Sequence, residues 1–242
     1  MKKKKIVNFI VYFCYFSIAI VIAIFILAII YLAPIMKNIS TKEGQLAFKE
    51  KINSLGFLGF LILFGLEVAQ IFFVVIPGEP LEILAGMCYG SIGGTIFITV
   101  SVFITTTIIF FAVKKYGKKL VEDTFSKEKV EKIENIKILK NPKKVEMIMA
   151  ILFFVPGTPK DLLVYIGGLL PIKPLKFILI STFARFPSVI SSTVVGAGIV
   201  NGNIKISIIS YVVTFIITAI ILILINVFDK NKETEDVLKV LK

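Results

Sequence analysis

Long apolar runs alternate with short polar breaks along the whole chain. Ile6–Ala33, Phe57–Ile76, Ile92–Val113, Leu175–Val200 and Ile204–Phe228 each reach the roughly 20 apolar residues that span a bilayer. A shorter run, Ile148–Val155, precedes a second proline cluster. The runs are continuous, not alternating, so they predict helices and exclude the strands of a membrane β-barrel. Pro34 closes the first helix, and the polar stretch Met36–Ser54 that follows carries Leu46, Phe48 and Ile52 at spacings that suit a short surface helix. The first run is far longer than the core of about 7–15 residues in a signal peptide, and it predicts a retained anchor helix.

Two of the runs end on one phrase written twice. Pro77-Gly78-Glu79-Pro80 is followed by Leu81-Glu82-Ile83-Leu84, and Pro156-Gly157-Thr158-Pro159 by Lys160-Asp161-Leu162-Leu163. Proline lacks an N–H and biases the preceding residue away from the helical region, so two prolines around a glycine break a helix. Such a break leaves backbone groups unpaired. In hydrocarbon it persists only where protein covers it or where it lines a wet cavity. Paired breaks in corresponding halves point to a binding or transport site near the midplane.

Charge sets the topology. The net charge is +12, with +4 in Lys2–Lys5 and +6 in Lys114–Lys144, where eleven lysines face five acids. This is the positive-inside pattern, and it also suits anionic headgroups. It is no nucleic-acid patch, and nucleic acid is not an expected partner. With the N-terminus inside, Ile6–Ala33 crosses outward and Ile92–Val113 crosses inward to the basic loop. Phe57–Ser91 must then enter and leave on the outer side, which makes it a re-entrant hairpin with its tip at Pro77–Pro80; the alternative is that both arms span fully. Val145–Pro171 dips from the inner side and breaks at Pro156–Pro159. Leu175–Val200 crosses outward, Asn201–Asn203 turns, Ile204–Phe228 returns, and Asp229–Lys242 is a cytosolic tail. The middle of the basic loop, Lys127–Leu139, reads as a surface helix.

The expected fold is an all-α integral membrane protein. It has about four full transmembrane helices and two opposed re-entrant helical hairpins, 57–91 and 145–172, forming an inverted repeat. Residues 1–55 hold the anchor helix and outer loop, 56–200 the core with its basic loop 114–144, and 201–242 the last helix and tail. The expected location is a cell membrane, that of a bacterial plasma membrane, with both termini cytosolic.

Six charged residues fall at membrane depth: Glu67, Glu79, Glu82, Lys160, Asp161 and Arg185. Each costs about 2.5–3.5 kcal/mol on insertion scales, which makes them candidates for substrate binding or gating. Arg185 is the lone arginine among 28 basic residues. Its planar fork suits a phosphate or carboxylate, and pairing with Glu67 or Glu79 is a compatible structural role. Free N–H groups after each break offer an anion site, with Glu82 and Asp161 in the first turns, where they also complement the helix dipole. Glu67 lies mid-run with no cap to serve, and is the first choice for a coupling or gating proton site. Thr105–Thr107 and Ser191–Thr193 read as helix–helix packing.

The chain has no histidine and no Trp. That removes His-based catalysis and metal ligation, and no Gly-x-Ser-x-Gly or Walker-type loop is present, so an enzyme is not expected and no cofactor is implied. Cys14 and Cys88 both fall in apolar stretches and read as small buried residues.

Glu67, Pro77-Gly78-Glu79 with Ala85-Gly86 and Gly90 behind it, Pro156-Gly157-Thr158-Pro159 with Tyr165 and Gly168, and Arg185-Phe186-Pro187 before Gly196 together resemble the DedA-like family, also described by the VTT or SNARE-associated Golgi protein domain. The resemblance runs over roughly Gly56–Gly198. It implies two re-entrant hairpins facing each other within the bilayer. It also implies lipid handling: scrambling by eukaryotic relatives, and recycling of an undecaprenyl-phosphate-type carrier by some bacterial ones. Bacterial relatives are linked to proton-dependent envelope homeostasis, and family acids match Glu67 and Glu79. Many bacterial members carry two arginines around the second break. Phe153 and Pro159 stand there in this chain, with Lys160 adjacent, so an arginine-dependent mechanism does not carry over directly.

The leading expectation is movement of phosphate-bearing lipids between leaflets, with anionic or phosphate-bearing membrane lipids as partners and room for a homo-oligomer. The alternatives are a proton- or ion-coupled transporter of a small solute and a membrane scaffold without transport.

Overall fold

The structure, a computed structural model, describes residues 41–73, 78–124, 131, 141–155 and 158–228. The expected anchor helix, the tail, Cys14, Pro77, Pro156, Gly157 and all of Lys127–Leu139 except Glu131 lie outside them. Among the described residues every regular element is a helix. In chain order these are α1 (Lys42–Ser54), α2 (Phe57–Phe73), α3 (Glu79–Tyr116), α4 (Lys118–Thr124), α5 (Pro142–Phe154), α6 (Lys160–Leu169), α7 (Pro174–Phe183), α8 (Phe186–Val200) and α9 (Ile204–Phe228).

The chain forms two compact units, residues 1–66 and 67–242. In the first, Thr41 caps α1, its hydroxyl accepting the Gly44 N–H at 3.1 Å. A side-chain acceptor there satisfies one of the free donors of the first turn. Phe48 and Ile52 are buried, while Leu46 is partly exposed. The helix expected in this stretch therefore forms, with two of its three apolar side chains inside. Gly56, at φ 52°, turns the chain, and the helices on its two sides are bent by 116°.

In the second unit α3 is the scaffold. Its 38 residues would rise about 57 Å if straight, nearly twice a hydrocarbon core of about 30 Å. They are not straight. Gly90 has φ 75° and ψ 177°, a region open essentially to glycine alone. A Cβ on Gly94 would lie 2.9 Å from the backbone of Ala85, and the rings of Tyr89 and Phe97 stand 5.2 Å apart. In a straight helix residues that far apart in sequence are separated by about 12–13 Å. The chain therefore doubles back at Gly90, giving a short arm, 79–89, and a long arm, 91–116.

Close backbone contact locks α8 onto the short arm. A Cβ on Gly86 would sit 2.2 Å from Thr193 O, and one on Gly196 would sit 2.0 Å from Ile83 O. Small residues permit this approach, the usual basis of helix packing in lipid. Members of the two hydroxyl clusters bond within and between helices. Thr193 and Thr95 hydroxyls are 2.8 Å apart across the α3–α8 interface, and Thr105 donates to Ser101 O at 2.7 Å.

Helices α7 and α8 are separated only by Ala184 and Arg185, both still near helical φ/ψ. Pro187 causes the interruption, because it has no N–H for the carbonyl of Phe183 and its ring crowds that carbonyl. Among the described residues, Pro174–Val200 and Glu79–Tyr116 are the two stretches long and apolar enough to cross a membrane, and the bent pair Leu46–Ser54 with Phe57–Phe73 would make a third. The sequence pattern predicts four full spans. Two of those expectations have direct counterparts here, while the first, Ile6–Ala33, lies outside the described residues. Large apolar side chains face outward along the long arm (Ile92, Ile96, Phe111) and along α9 (Ile208, Val212, Phe215). Apolar surface of that extent marks a membrane protein.

Candidate functional site

The first Pro-Gly phrase falls where α2 gives way to α3, and the second where α5 gives way to α6. After the first, Gly78 precedes α3 and Pro80 sits in its first turn. There its missing N–H would have been unpaired in any case. After the second, Pro159 precedes α6 with φ −73° and ψ 75°. The Thr158 hydroxyl lies 2.9 Å from Val155 O and 2.5 Å from Leu152 O. It thus donates back to carbonyls at the end of α5, where the break removes their helical partners.

The charged residues converge from four helices. Glu67 and Gln70, one turn apart on α2, are both 2% exposed, and their side chains are hydrogen-bonded. Glu82 comes from the short arm of α3, Lys160 and Asp161 from the first turn of α6, and Arg185 from the α7–α8 junction. Arg185 is 5% exposed. Its Nη1 donates to Asp161 Oδ1 at 3.1 Å, and its guanidinium carbon stands 5.0 Å from the ring centroid of the buried Phe153. A cation over an aromatic face is stabilised by the ring quadrupole, more so when desolvated. Lys160 Nζ donates to Ser188 Oγ at 2.9 Å, and Glu82 is hydrogen-bonded to Ser192. Glu67 lies within electrostatic reach of Glu82, Asp161 and Arg185, and Lys160 within reach of Glu82 and Glu79.

Glu79 sits apart. It is exposed, at the start of α3, and accepts the Tyr211 hydroxyl of α9 at 2.7 Å. The partner of Arg185 is thus Asp161, not Glu67 or Glu79. The sequence marked these groups by their place in or beside apolar runs but did not show which faces meet.

Among the described residues the buried side-chain atoms without a hydrogen-bond partner are the hydroxyls of Tyr89, Thr106 and Thr182 and, within this cluster, Glu67 Oε2, Arg185 Nε and Arg185 Nη2. Buried polar groups are nearly always paired, and an acceptor and two donors left open in one charged cluster make it the candidate site. Nε and Nη2 are the side-on pair of the guanidinium, two parallel donors able to grip two oxygens of one oxyanion.

Sequence reasoning missed Ser188, Tyr211 and the role of Phe153. Ser188 stands one residue past Pro187 and one turn before Ser192, so a hydroxyl row on one helix face was its only signal. Tyr211 had none beyond being a polar-tipped side chain in an apolar run.

The family profile for the VTT domain matches residues 76–198, just over half of the 242 residues. That stretch runs from the first break through α8. The chain belongs to the VTT-domain family, the DedA family of membrane proteins. No curated protein and no solved structure matches it.

Proposed function

We propose that this chain moves phosphate-bearing lipids between the leaflets of a cell membrane, as a scramblase or a lipid-carrier flippase, without making or breaking covalent bonds. In this reading α2 with the arm 79–89, and α5 with α6, are two opposed re-entrant hairpins of an inverted repeat. Both chain ends lie in the cytosol, and the membrane is a bacterial plasma membrane. The reversal at Gly90 and the break between α5 and α6 support it.

One observation carries the proposal. Arg185 is buried, oriented by Asp161 and Phe153, and left with its side-on donor pair open. A lipid phosphate offers the matching pair of oxygens, and the half-helix ends beside it favour negative charge. The test is reconstitution into liposomes carrying a headgroup-labelled phospholipid or a polyprenyl phosphate, with loss of the label's protection followed in time. The protein is expected to speed exchange between leaflets. Arg185→Lys, which keeps the charge but loses the fork, is expected to slow it at least about tenfold, as loss of one or two charge-assisted bonds would. Rates equal to those of empty liposomes for both lipid types would overturn the proposal.

A second reading, a proton- or ion-coupled transporter of a small solute, draws on Glu67, whose Oε2 is buried and open. An ionisable group at such depth is a natural ion relay. In that case Glu67→Gln abolishes gradient-driven uptake, whereas the lipid exchange of unmodified protein needs no gradient.

A further inference from the structure

A groove with a cavity volume of about 460 Å³ runs between the long arm of α3 and α8. That is within the usual range of about 300–1,000 Å³ for small-molecule sites. Its walls follow from sequence spacing. On the long arm, residues four apart line it in two adjacent rows, one from Ser91 to Thr99 and one from Ile92 to Val100. On α8 a single row runs from Phe186 to Val194. Side chains spaced by four share one face of a helix. Ile92, Ile96, Val100 and Ile190 are exposed, so the groove is open along its rim.

The threonine hydroxyls on its wall ask nothing of an occupant. Thr95 donates to Ser91 O and Thr99 to Thr95 O, each at 2.7 Å, and the Thr95 and Thr193 hydroxyls meet at 2.8 Å across the two helices. Threonines that bond back to the preceding turn are already satisfied. A polar occupant would give up its hydrogen bonds to water and gain few here, whereas hydrocarbon gives up none. From Ser91 to Val100 the helix rises about 13–14 Å, close to the depth of one leaflet in a hydrocarbon core about 30 Å thick. The α8 row starts one residue after Arg185, so one end of the groove lies at the junction that carries the open donor pair.

We propose that this groove holds one acyl chain of a glycerophospholipid whose phosphate is gripped by Arg185. The inference rests on the lipid reading of that site and names its substrate, recognised in two parts: phosphate at the α7–α8 junction and chain along the α3–α8 groove. A polyprenyl chain is much longer and bears a methyl branch on every unit, and it does not match a smooth groove one leaflet deep.

The test uses the full-length protein in phospholipid liposomes doped sparsely with phosphatidylglycerol that carries a photoreactive diazirine on its acyl chain. After illumination, mass spectrometry locates the labelled peptides. Peptides covering 91–100 and 186–194 are expected to carry about tenfold more probe, a preference of about 1.4 kcal/mol, than those covering 208–215 of α9. The exposed apolar side chains of that α9 stretch report general lipid contact. Val194→Phe and Thr99→Phe each fill the groove and are expected to bring the excess down to the α9 level. Ile108→Phe, at an exposed position of the long arm outside the groove, leaves the excess intact. A polyprenyl phosphate with a diazirine on its chain is expected to label the groove no more than α9. Equal labelling of groove and α9 by the phospholipid probe in the parent protein overturns the proposal. So does an excess that survives both filled variants, or an equal excess with the polyprenyl probe. Groove labelling without leaflet exchange leaves the chain site standing and removes the transport reading, and exchange without groove labelling does the reverse.

Discussion

Arg185 concentrates the competing demands made on single residues here. Its charge is buried, one nitrogen is bound to Asp161, and its face lies on Phe153. Removing one member of a buried ion pair strands the other, at about 3–5 kcal/mol. Asp161→Asn is therefore expected to lower the thermal midpoint of the purified protein clearly, and Asp161→Leu combined with Arg185→Met to restore much of it. Size-exclusion profiles after heating measure both. Phe153→Ala has two costs, the cavity and the lost platform, and is expected to destabilise by about 3–5 kcal/mol. The sequence marked Arg185 as exceptional because it is the lone arginine in a lysine-rich chain. It could not name Asp161 as partner, because residue depth follows from position along a run, whereas contact depends on the rotation of each helix. Phe153 was legible only as a departure from a family pattern, and its place beneath the guanidinium is a product of how α5 packs on the α7–α8 junction.

At the scale of elements, proline and glycine act in separate ways. The prolines end helices or open them, and their effect was legible because it is local. Gly90 was legible only as one residue of the family resemblance, since nothing in the neighbouring residues states that the chain doubles back there. Gly90→Ala tests its conformational role alone, because no atom lies within 4 Å of the added Cβ. Backbone strain of about 1–3 kcal/mol is expected, read as a lower melting temperature. Gly196→Ala tests packing instead. Its Cβ meets the backbone of Ile83, which cannot rotate away, so α8 must move off the short arm of α3. The expected cost is about 1–3 kcal/mol or more. If Gly196→Ala melts like the parent, the tight α3–α8 crossing is wrong.

At the scale of the whole molecule, the apolar runs settle the class and leave the mechanism open. Outward-facing isoleucine and phenylalanine on the long arm of α3 and on α9 have no water-soluble explanation. The protein is expected to stay with membranes through alkaline carbonate washing and to leave them only with detergent. Hydropathy made this legible at once, because span length depends on composition alone. Glu67, Glu82, Lys160, Asp161 and Arg185 were legible as charged residues in or beside apolar runs, but their tying together through Gln70, Ser188 and Ser192 was not. Those bonds depend on side chains that are unremarkable in a linear reading.

The central claim is that the open donor pair of Arg185 grips a lipid phosphate on its way across the bilayer. The most direct measurement is leaflet exchange of a headgroup-labelled phospholipid and of a polyprenyl phosphate in liposomes, with parent protein and Arg185→Lys reconstituted side by side at equal density. The account predicts rapid exchange of at least one lipid by the parent and a loss of about tenfold or more in the variant. Equal rates for the two proteins, or no exchange above empty liposomes with either lipid, would contradict it.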